Sequence, residues 1–184
     1  MVEELAHYMA YVNPGLGGEF LAYMAMEGQV PSCRCLWDLT IPKAKGDTQV
    51  DLLLIHATGI YVVESKNYSN CRIQGDEKLK DWTAFYKQGK DRGYLLYNPH
   101  MQNEGHIAAL KCYVDYPVPM ISIVAYSNQC ALEIKRKPGS KTIHCHYGKL
   151  GNIMRASAKF RKPCLDNEEV WLLYQLLRPL ASSR

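Results

Sequence analysis

The chain has 184 residues, of which 47% are hydrophobic and 22% are charged, and its formal net charge is +4. This composition excludes an intrinsically disordered chain, because such chains combine low hydrophobicity with high net charge. No apolar run approaches the roughly 18 residues that a membrane-spanning helix needs, and the acidic N-terminus lacks the basic start of a signal peptide. We therefore expect one soluble, cytoplasmic domain over residues 1–184.

The first half of the chain carries the patterns of one helix and three strands. Runs of apolar and β-branched residues mark the strands, and Thr58-Gly59 is a turn signal that joins the last two of them into a hairpin. The predicted elements are a helix around Gly18–Glu27 and strands over Cys33–Leu39, Val50–His56 and Ile60–Lys66.

A loop-rich stretch with Trp82 and Phe85 precedes the second half of the chain. Asn98 has the position of an N-cap and Pro99 that of a first helical residue, so a helix is predicted from Pro99 to about Tyr113. The remaining predictions are strands over Met120–Tyr126 and Thr142–Tyr147, and a final amphipathic helix behind a capping box at Asp166–Glu169.

The predicted hairpin brings three charged residues together within apolar strands. With Thr58 and Gly59 as the turn residues, Asp51 lies opposite Lys66, and opposed residues point to the same face of a sheet. Alternation along the second strand puts Glu64 on that face too. Asp51 and Glu64 are then a diagonal pair, roughly 7 Å apart, which is close enough for two carboxylates to share one cation.

Spacing alone leaves two interpretations of this convergence open. In the first, one acid pairs with Lys66 and the other faces solvent at a strand end, since short patterns recur by chance. In the second, a divalent cation holds both carboxylates ionised, because two like charges are costly to bury among Leu, Ile and Val without one. Oxygen ligands favour Mg²⁺ or Mn²⁺ over Zn²⁺.

The cysteines indicate neither a disulfide framework nor a structural zinc site. There are seven of them, an odd number, and they are scattered along the chain, as in proteins of reducing compartments. Cys33 with Cys35, and His144 with Cys145 and His146, offer possible zinc ligands. Their one-residue gaps differ from the spacings of structural zinc sites, so we expect no structural zinc.

Positive charge is concentrated in residues 131–162, which hold nine lysines and arginines against a single acid, Glu133. Such a segment is either a solvated face or a phosphate-binding surface. As nucleic-acid contacts we expect Lys135, Arg136, Lys137 and Lys141.

Four sequence blocks occur in order along the chain: GLGGE at 15–19, QVDLLL at 49–54, GIYVVESKN at 59–67 and NPHMQN at 98–103. Each block is short, but their order and spacing together resemble the nuclease-related domain family, NERD, of the PD-(D/E)xK nuclease superfamily. Two positions depart from the family pattern: Gln49 stands where an acid is frequent, and Ser65 where an apolar residue is common.

The resemblance implies an α/β (α+β) fold with an αβββαβ core, in which helices flank a mixed central sheet. The core would span about residues 15–130, and a basic extension of strand and helix would span residues 131–184. The resemblance also implies one site lined by Glu19, Asp51, Glu64, Lys66 and Gln102.

Three of the polar residues on the predicted helices have structural alternatives. An acid such as Glu19 is favoured in the first turn of any helix by the helix dipole. Gln102 would orient water or backbone from the helix that follows Pro99. His106 lies one turn further on, but a lone histidine in such a helix is usually a structural residue, and we leave it out of the catalytic set.

The resulting hypothesis is a metal-dependent nuclease that hydrolyses phosphodiester bonds in DNA, with RNA as a second candidate substrate. Asp51 and Glu64, with Glu19 through water, would hold one or two Mg²⁺ or Mn²⁺ ions, and Lys66 would orient the attacking water and stabilise charge on the phosphate. The alternative is a catalytically silent module that binds nucleic acid or a protein partner. Family fusions suggest a helicase or another DNA-processing protein as that partner, and no membrane is expected.

Overall fold

Nine strands and three α-helices form the described part of the chain. The structure is a computed structural model, and it describes residue 22, residues 32–86 and residues 93–181. In chain order the strands are β1 (Arg34–Pro42), β2 (Asp47–His56), β3 (Gly59–Lys66), β4 (Cys71–Asp76), β5 (Asp81–Tyr86), β6 (Gly93–Tyr97), β7 (Met120–Tyr126), β8 (Ala131–Lys135) and β9 (Ile143–His146). The helices are α1 (Pro99–Tyr113), α2 (Tyr147–Phe160) and α3 (Asn167–Leu177), followed by a 3₁₀ turn at Arg178–Leu180.

The main sheet is mixed and has the strand order β1-β2-β3-β7-β9. The first three strands are antiparallel, whereas β7 lies parallel to both β3 and β9. The connection from β3 to β7 is long and includes α1, because parallel neighbours need a crossover. This arrangement confirms the predicted α/β class and the succession of three strands, a helix and a strand.

Helices cover both faces of the main sheet because its central strands are apolar on both sides. Leu53 and Ile55 of β2 share one buried cluster with residues of α1 and α3. Leu52 and Leu54 point the other way and share a second cluster with residues of α2. The alternation of β2 thus divides the core into two layers, one on each side of the sheet.

The β2–β3 hairpin differs in register from the prediction. Its turn residues are Ala57 and Thr58, and Gly59 already belongs to β3, where it pairs with His56. Gly59 has φ +130, and a Cβ there would lie 2.4 Å from the carbonyl oxygen of Pro119, the residue before β7. Only glycine fits at this position. The pairing is therefore shifted by two residues, which leaves each side chain on its predicted face.

A second sheet, with the order β6-β5-β4-β8, is the largest departure from the prediction. Three of its strands occupy the stretch expected to be loop-rich around Trp82 and Phe85, which lie in β5. Gly75 permits this packing, because a Cβ there would meet the Trp82 ring at 2.1 Å. The inner face of this sheet packs against Val124 and Tyr126 of the main sheet.

Helix α1 is fixed at its start and at its middle by asparagine side chains. The Asn98 carboxamide oxygen accepts from the backbone N–H groups of His100 and Met101, as predicted for an N-cap. One turn on, Asn103 Nδ2 donates to the carbonyls of Val62 and Ile123, at 3.0 and 3.1 Å. These bonds dock α1 on β3 and β7 at a defined rotation, which decides which of its side chains face the end of β3.

The remaining elements largely follow the sequence pattern. The helix over 99–113, the strand over 120–126 and the capping box before α3 are confirmed. The strand expected over 142–147 ends at His146, and helix α2, which the pattern did not predict, begins at Tyr147. The helix expected over 18–27 lies outside the described residues, apart from Ala22, which is helical and buried. Among the described helices, none is long and apolar enough to cross a membrane.

Candidate active site

Glu64 and Lys66 lie at the C-terminal end of β3, beside the first turns of α1. Lys66 Nζ lies 2.5 Å from Glu64 Oε1 and donates to Gln102 Oε1 at 3.1 Å. The Glu64 side chain is 1% exposed and that of Lys66 is 17% exposed, so this ion pair is largely withdrawn from water. Two predicted residues from β3 and one from α1 are therefore brought together.

Asp51 lies on β2 next to this pair. Its Oδ2 accepts a hydrogen bond from the backbone N–H of Ser65 at 2.7 Å. The register that pairs Leu52 with Val63 would place Asp51 opposite Glu64, where the predicted register had placed it opposite Lys66. Both registers have the same parity, so the shift alone does not move a side chain to the other face of the sheet.

The charges of the site keep Lys66 protonated at neutral pH. Burial alone lowers the pKa of this lysine, but the charge of Glu64 and its hydrogen bond raise it by more, with smaller contributions from Tyr68 and Asp51. The net result is a pKa above the usual value of 10.5. Lys66 is thus a fixed cation at the end of β3, with an exposed fraction large enough to meet a ligand.

His106 belongs to this site, although the sequence reasoning left it out of the catalytic set. Its Nε2 lies 2.9 Å from Glu64 Oε2, and its Nδ1 lies 2.9 Å from Thr48 Oγ1. Each oxygen of the Glu64 carboxylate therefore has its own partner, Lys66 or His106. The signal in the sequence was the spacing of four between Gln102 and His106, which puts both on one face of α1.

Asp38 is a second residue that the sequence reasoning missed. It lies in β1 between the pairs Trp37–Leu52 and Leu39–Val50, and so across from Asp51. Its φ of +51 is a left-handed conformation in the middle of a strand, and the residue is 7% exposed. Residues held in such conformations occur preferentially at functional sites. A third acid is therefore next to Asp51.

The two departures from the family pattern are explained by neighbouring side chains. Gln49 Nε2 donates to Asp38 Oδ1, so an amide here bonds the acid of the adjacent strand. Ser65 Oγ is 2.7 Å from the hydroxyl of Tyr147, at the start of α2. The Ser65 side chain thus points away from the Glu64 face and joins β3 to α2.

The basic residues expected to contact nucleic acid lie near the opposite face of α1. Lys137 Nζ is 2.7 Å from Glu104 Oε1, whereas Gln102 reaches Lys66; two helical positions differ by about 200° around the axis. Lys135 pairs with Asp76 at 3.2 Å. Arg136 Nη2 donates to the carbonyls of Ser140 and Thr142. Three of the four residues therefore have intramolecular partners.

Lys141 lines an open cavity of about 580 Å³ on this far side of α1. The cavity is bounded by α1, the β8–β9 connection and the end of α2, and further basic residues line it. These are Lys111, Lys137 and Arg161. Positive charge thus surrounds this cavity, whereas the acids Asp38, Asp51 and Glu64 lie on the other side of the helix.

Glu77, His100 and His144 form a possible metal-binding group within the described residues. One potential ligand atom from each lies within 4.8 Å of those of the other two. His144 comes from the His144-Cys145-His146 run, but its neighbours in the group are distant in sequence. Burial lowers the pKa of His144 and of His100 below 6.5, although Glu77 opposes this effect at both. Burial thus favours the neutral form of both imidazoles.

One of the five predicted site residues, Glu19, lies outside the described residues. The other four, Asp51, Glu64, Lys66 and Gln102, lie together at the end of β3, and Asp38 and His106 adjoin them.

The fold and this set of side chains define a nuclease-like α/β protein. The sequence model of the family described as "nuclease-related domain", NERD, matches residues 14–127, and the chain belongs to this family. The chain is also similar to the uncharacterized protein pXO1-01 of Bacillus anthracis, with 31% identity over 165 residues, which are 89% of this chain and 74% of that protein. No solved structure matches the chain.

Proposed function

We propose that the chain is a metal-dependent nuclease that hydrolyses phosphodiester bonds, with DNA as the favoured substrate. The observation that carries the proposal is the placement of Lys66, which is held between Glu64 and Gln102 beside Asp51. A cation fixed beside carboxylates at one end of a sheet can meet a phosphate and a metal ion at the same time. A structural ion pair would need neither Gln102 nor a second acid.

The donor atoms of the site suit a hard divalent cation such as Mg²⁺ or Mn²⁺. Asp51 and Glu64 supply carboxylate oxygens, and Glu19 completes the proposed ligand set. When bound, such a cation would neutralise the scissile phosphate and lower the pKa of a water molecule. Asp38 lies across from Asp51 in the strand register and is a further acid near this group.

The chain's own residues have separate tasks in this proposal. Lys66 donates to a phosphate oxygen or to the attacking water, and its charge stabilises the negative charge that builds up in the transition state. Gln102 accepts from Lys66 and so limits the positions of Nζ. His106 of α1 contacts Glu64 Oε2 through Nε2 and so fixes its position, and Thr48 Oγ1 contacts the other ring nitrogen of His106.

A catalytically silent nuclease-fold module is the alternative, and one observation favours it. Both oxygens of Glu64 already have partners, Lys66 and His106, so the buried carboxylate is neutralised without a metal ion. Such a module would bind nucleic acid or a DNA-processing protein such as a helicase. Metal-dependent cleavage separates the two functions directly.

The basic residues Lys135, Arg136, Lys137 and Lys141 are the proposed nucleic-acid contacts. Lys135 is 78% exposed and Arg136 is 55% exposed, so their intramolecular partners can be exchanged for phosphates at small cost. The odd number of cysteines and their scatter along the chain support a reducing compartment such as the cytoplasm as the place of action.

The test is cleavage of end-labelled single- and double-stranded DNA and RNA with Mg²⁺, Mn²⁺ or EDTA. We expect cleavage with a divalent metal and none with EDTA. Asp51→Asn should lose the activity, and Asp47→Asn, an exposed acid on the same strand, should keep it. Equal activity of both variants would assign the cleavage to a contaminant, and no activity of the wild type under any condition would favour the silent module.

A further inference from the structure

We propose that Glu77, His100 and His144 form a second metal site, for a transition metal of the zinc class, separate from the candidate active site. The three residues come from distant parts of the chain, at the end of β4, in the first turn of α1 and in β9. Glu77 and His100 are each 1% exposed, and the His144 side chain is 8% exposed. Three metal-ligating side chains therefore converge in a buried place that the nuclease proposal does not use.

The distances within the group are close to those of a zinc site. Glu77 Oε1 lies 2.9 Å from His144 Nε2 and 4.0 Å from His100 Nδ1. Ligand atoms about 2.0–2.2 Å from one tetrahedral Zn²⁺ lie roughly 3.2–3.6 Å from each other. Shifts of less than about 1 Å would thus bring all three atoms to one ion.

His144 and Glu77 have the outward contacts expected of metal ligands, and His100 Nε2 lies near a carboxylate. A ligating histidine usually presents its other ring nitrogen to a carboxylate, a carbonyl or a similar group, which fixes the ring. His144 Nδ1 is 3.0 Å from the hydroxyl of Tyr126, and His100 Nε2 is 3.3 Å from Glu104 Oε1. Glu77 Oε2, the oxygen not proposed as a ligand, accepts from the backbone N–H of Lys137 at 2.8 Å.

His100 has one ring nitrogen that makes a hydrogen bond and one that makes none. Its Nε2 is buried and has no hydrogen bond of acceptable geometry, although Glu104 is near. Its Nδ1 contacts Thr142 Oγ1 at 2.8 Å, and Thr142 Oγ1 donates to Ser122 Oγ, so Nδ1 carries the proton and Nε2 does not. Metal binding at Nδ1 would replace its hydrogen bond to Thr142 Oγ1 and move the proton to Nε2, where Glu104 could accept it.

The charges and the ligand types select the class of metal. Two imidazoles and one carboxylate are typical of Zn²⁺, of its substitute Co²⁺ and of Fe²⁺, whereas Mg²⁺ and Ca²⁺ prefer oxygen ligands throughout. Arg136 Nε lies 4.0 Å from Glu77 Oε1 and is the cation that faces this carboxylate in the absence of metal. Because Arg136 is 55% exposed, its side chain can turn to solvent when a metal binds.

The site would join β4, α1 and β9 at a point that the candidate active site does not share. His100 points away from the face of α1 that carries Gln102 and His106, since positions 100 and 102 differ by about 200° around the helix. A metal held here would fix the start of α1, and so the rotation of the helix that presents Gln102 to Lys66. This inference does not depend on the proposed nuclease activity.

The experiment is a titration of the chelator-treated full chain with Zn²⁺ and with Co²⁺. We expect one equivalent of tightly bound Zn²⁺ by elemental analysis after gel filtration, a higher melting temperature, and visible Co²⁺ absorption of tetrahedral type without thiolate charge-transfer bands. His144→Ala and Glu77→Gln should lose the absorption. His146→Ala, on the same strand, and Asp51→Asn, in the other site, should keep it.

Two results would overturn the proposal. One is a wild-type protein that neither binds an equivalent of Zn²⁺ nor gives the Co²⁺ spectrum, which would leave the three residues as a hydrogen-bonded network. The other is a Co²⁺ spectrum that is unchanged in His144→Ala or that shows thiolate ligation, which would assign the metal to cysteines. The wild-type titration decides the matter even where a variant fails to fold.

Discussion

His106 Nε2 lies 2.9 Å from one carboxylate oxygen of Glu64, and Lys66 Nζ lies 2.5 Å from the other. Glu64 is thus fixed from two directions, by a helix and by its own strand. A carboxylate that is immobilised in this way keeps one orientation toward a metal ion, which is the role of outer-shell partners at metal sites.

The contact between His106 and Glu64 predicts that His106 is a positioning residue. His106→Ala should lower the apparent affinity of the active site for Mg²⁺ or Mn²⁺ by about 10–100-fold, the usual cost of losing an outer-shell partner. His106→Gln, which can still donate to Glu64, should recover part of it. The measurement is the metal concentration at half-maximal cleavage. A purely structural role would lower the melting temperature and leave this concentration unchanged.

Asp51 is predicted to be necessary for metal binding and dispensable for the fold. Asp51→Asn can still accept the Ser65 N–H, so the metal-free protein should melt close to the wild type. We expect Mn²⁺ to raise the melting temperature of the wild type, because it binds to the folded state alone. This rise should be absent in Asp51→Asn. Differential scanning calorimetry over a metal titration measures this, with Asp47→Asn as the control. Parallel curves for all three proteins would mean that Asp51 is not a ligand.

The nearness of Asp51 to Glu64 and Lys66 could be predicted, because the hairpin places this part of β2 beside the end of β3. The register of the hairpin could not be predicted from its own sequence. Gly59 belongs to β3 because it lies close to Pro119 O, which is outside the hairpin. The strands β4 and β5 escaped prediction for a similar reason. Their apolar residues pack on another sheet. In the sequence Gly75 suggests a turn, whereas in the structure it lies in β4 under the Trp82 ring.

The candidate site residues that were missed depend on long-range contacts. His106 could be placed on the Gln102 face of α1 by spacing, but its contact with Glu64 depends on how Asn103 docks the helix. Asp38 is marked only by its left-handed backbone. The group of Glu77, His100 and His144 has no local spacing at all, and rules based on short ligand gaps do not detect it.

Glu77 should stabilise the fold at neutral pH and lose this effect in acid. Burial raises its pKa, but hydrogen bonds from the Lys137 N–H, His144 and Ser140, with the charge of His100, lower it by more, to below 4.5. A folded-state pKa below the unfolded one gives stability that is present above about 4.5 and is lost as the pH falls through the lower folded value.

Urea unfolding at neutral pH and at pH about 4 would measure this contribution. Glu77→Gln should lower the free energy of unfolding at neutral pH by about 1–3 kcal/mol, because a buried hydrogen-bonded group is removed. The difference in the free energy of unfolding between the variant and the wild type should become smaller at pH about 4. A difference that stays constant with pH would show that the carboxylate charge contributes nothing to folding.

Lys141 is predicted to contact phosphate. In the Lys66→Met background, which avoids cleavage, Lys141→Ala should reduce the slope of log affinity for duplex DNA against log salt by about 1. Lys43→Ala, which removes an exposed lysine outside the basic segment, should leave the slope unchanged. The measurement is fluorescence anisotropy over a range of salt concentrations. If both variants keep the wild-type slope, Lys141 belongs to a solvated face.

Cleavage by Lys66→Met, measured beside its metal-dependent melting, tests the nuclease proposal most directly. Methionine keeps much of the apolar stem of lysine but not its charge, so the fold and the carboxylates remain in place. We predict that the variant still melts at a higher temperature with Mn²⁺ and cleaves DNA about 10²-fold or more slowly than the wild type, because one preorganised charge at the reacting phosphate is gone. A Lys66→Met protein that cleaves at the wild-type rate would contradict the account.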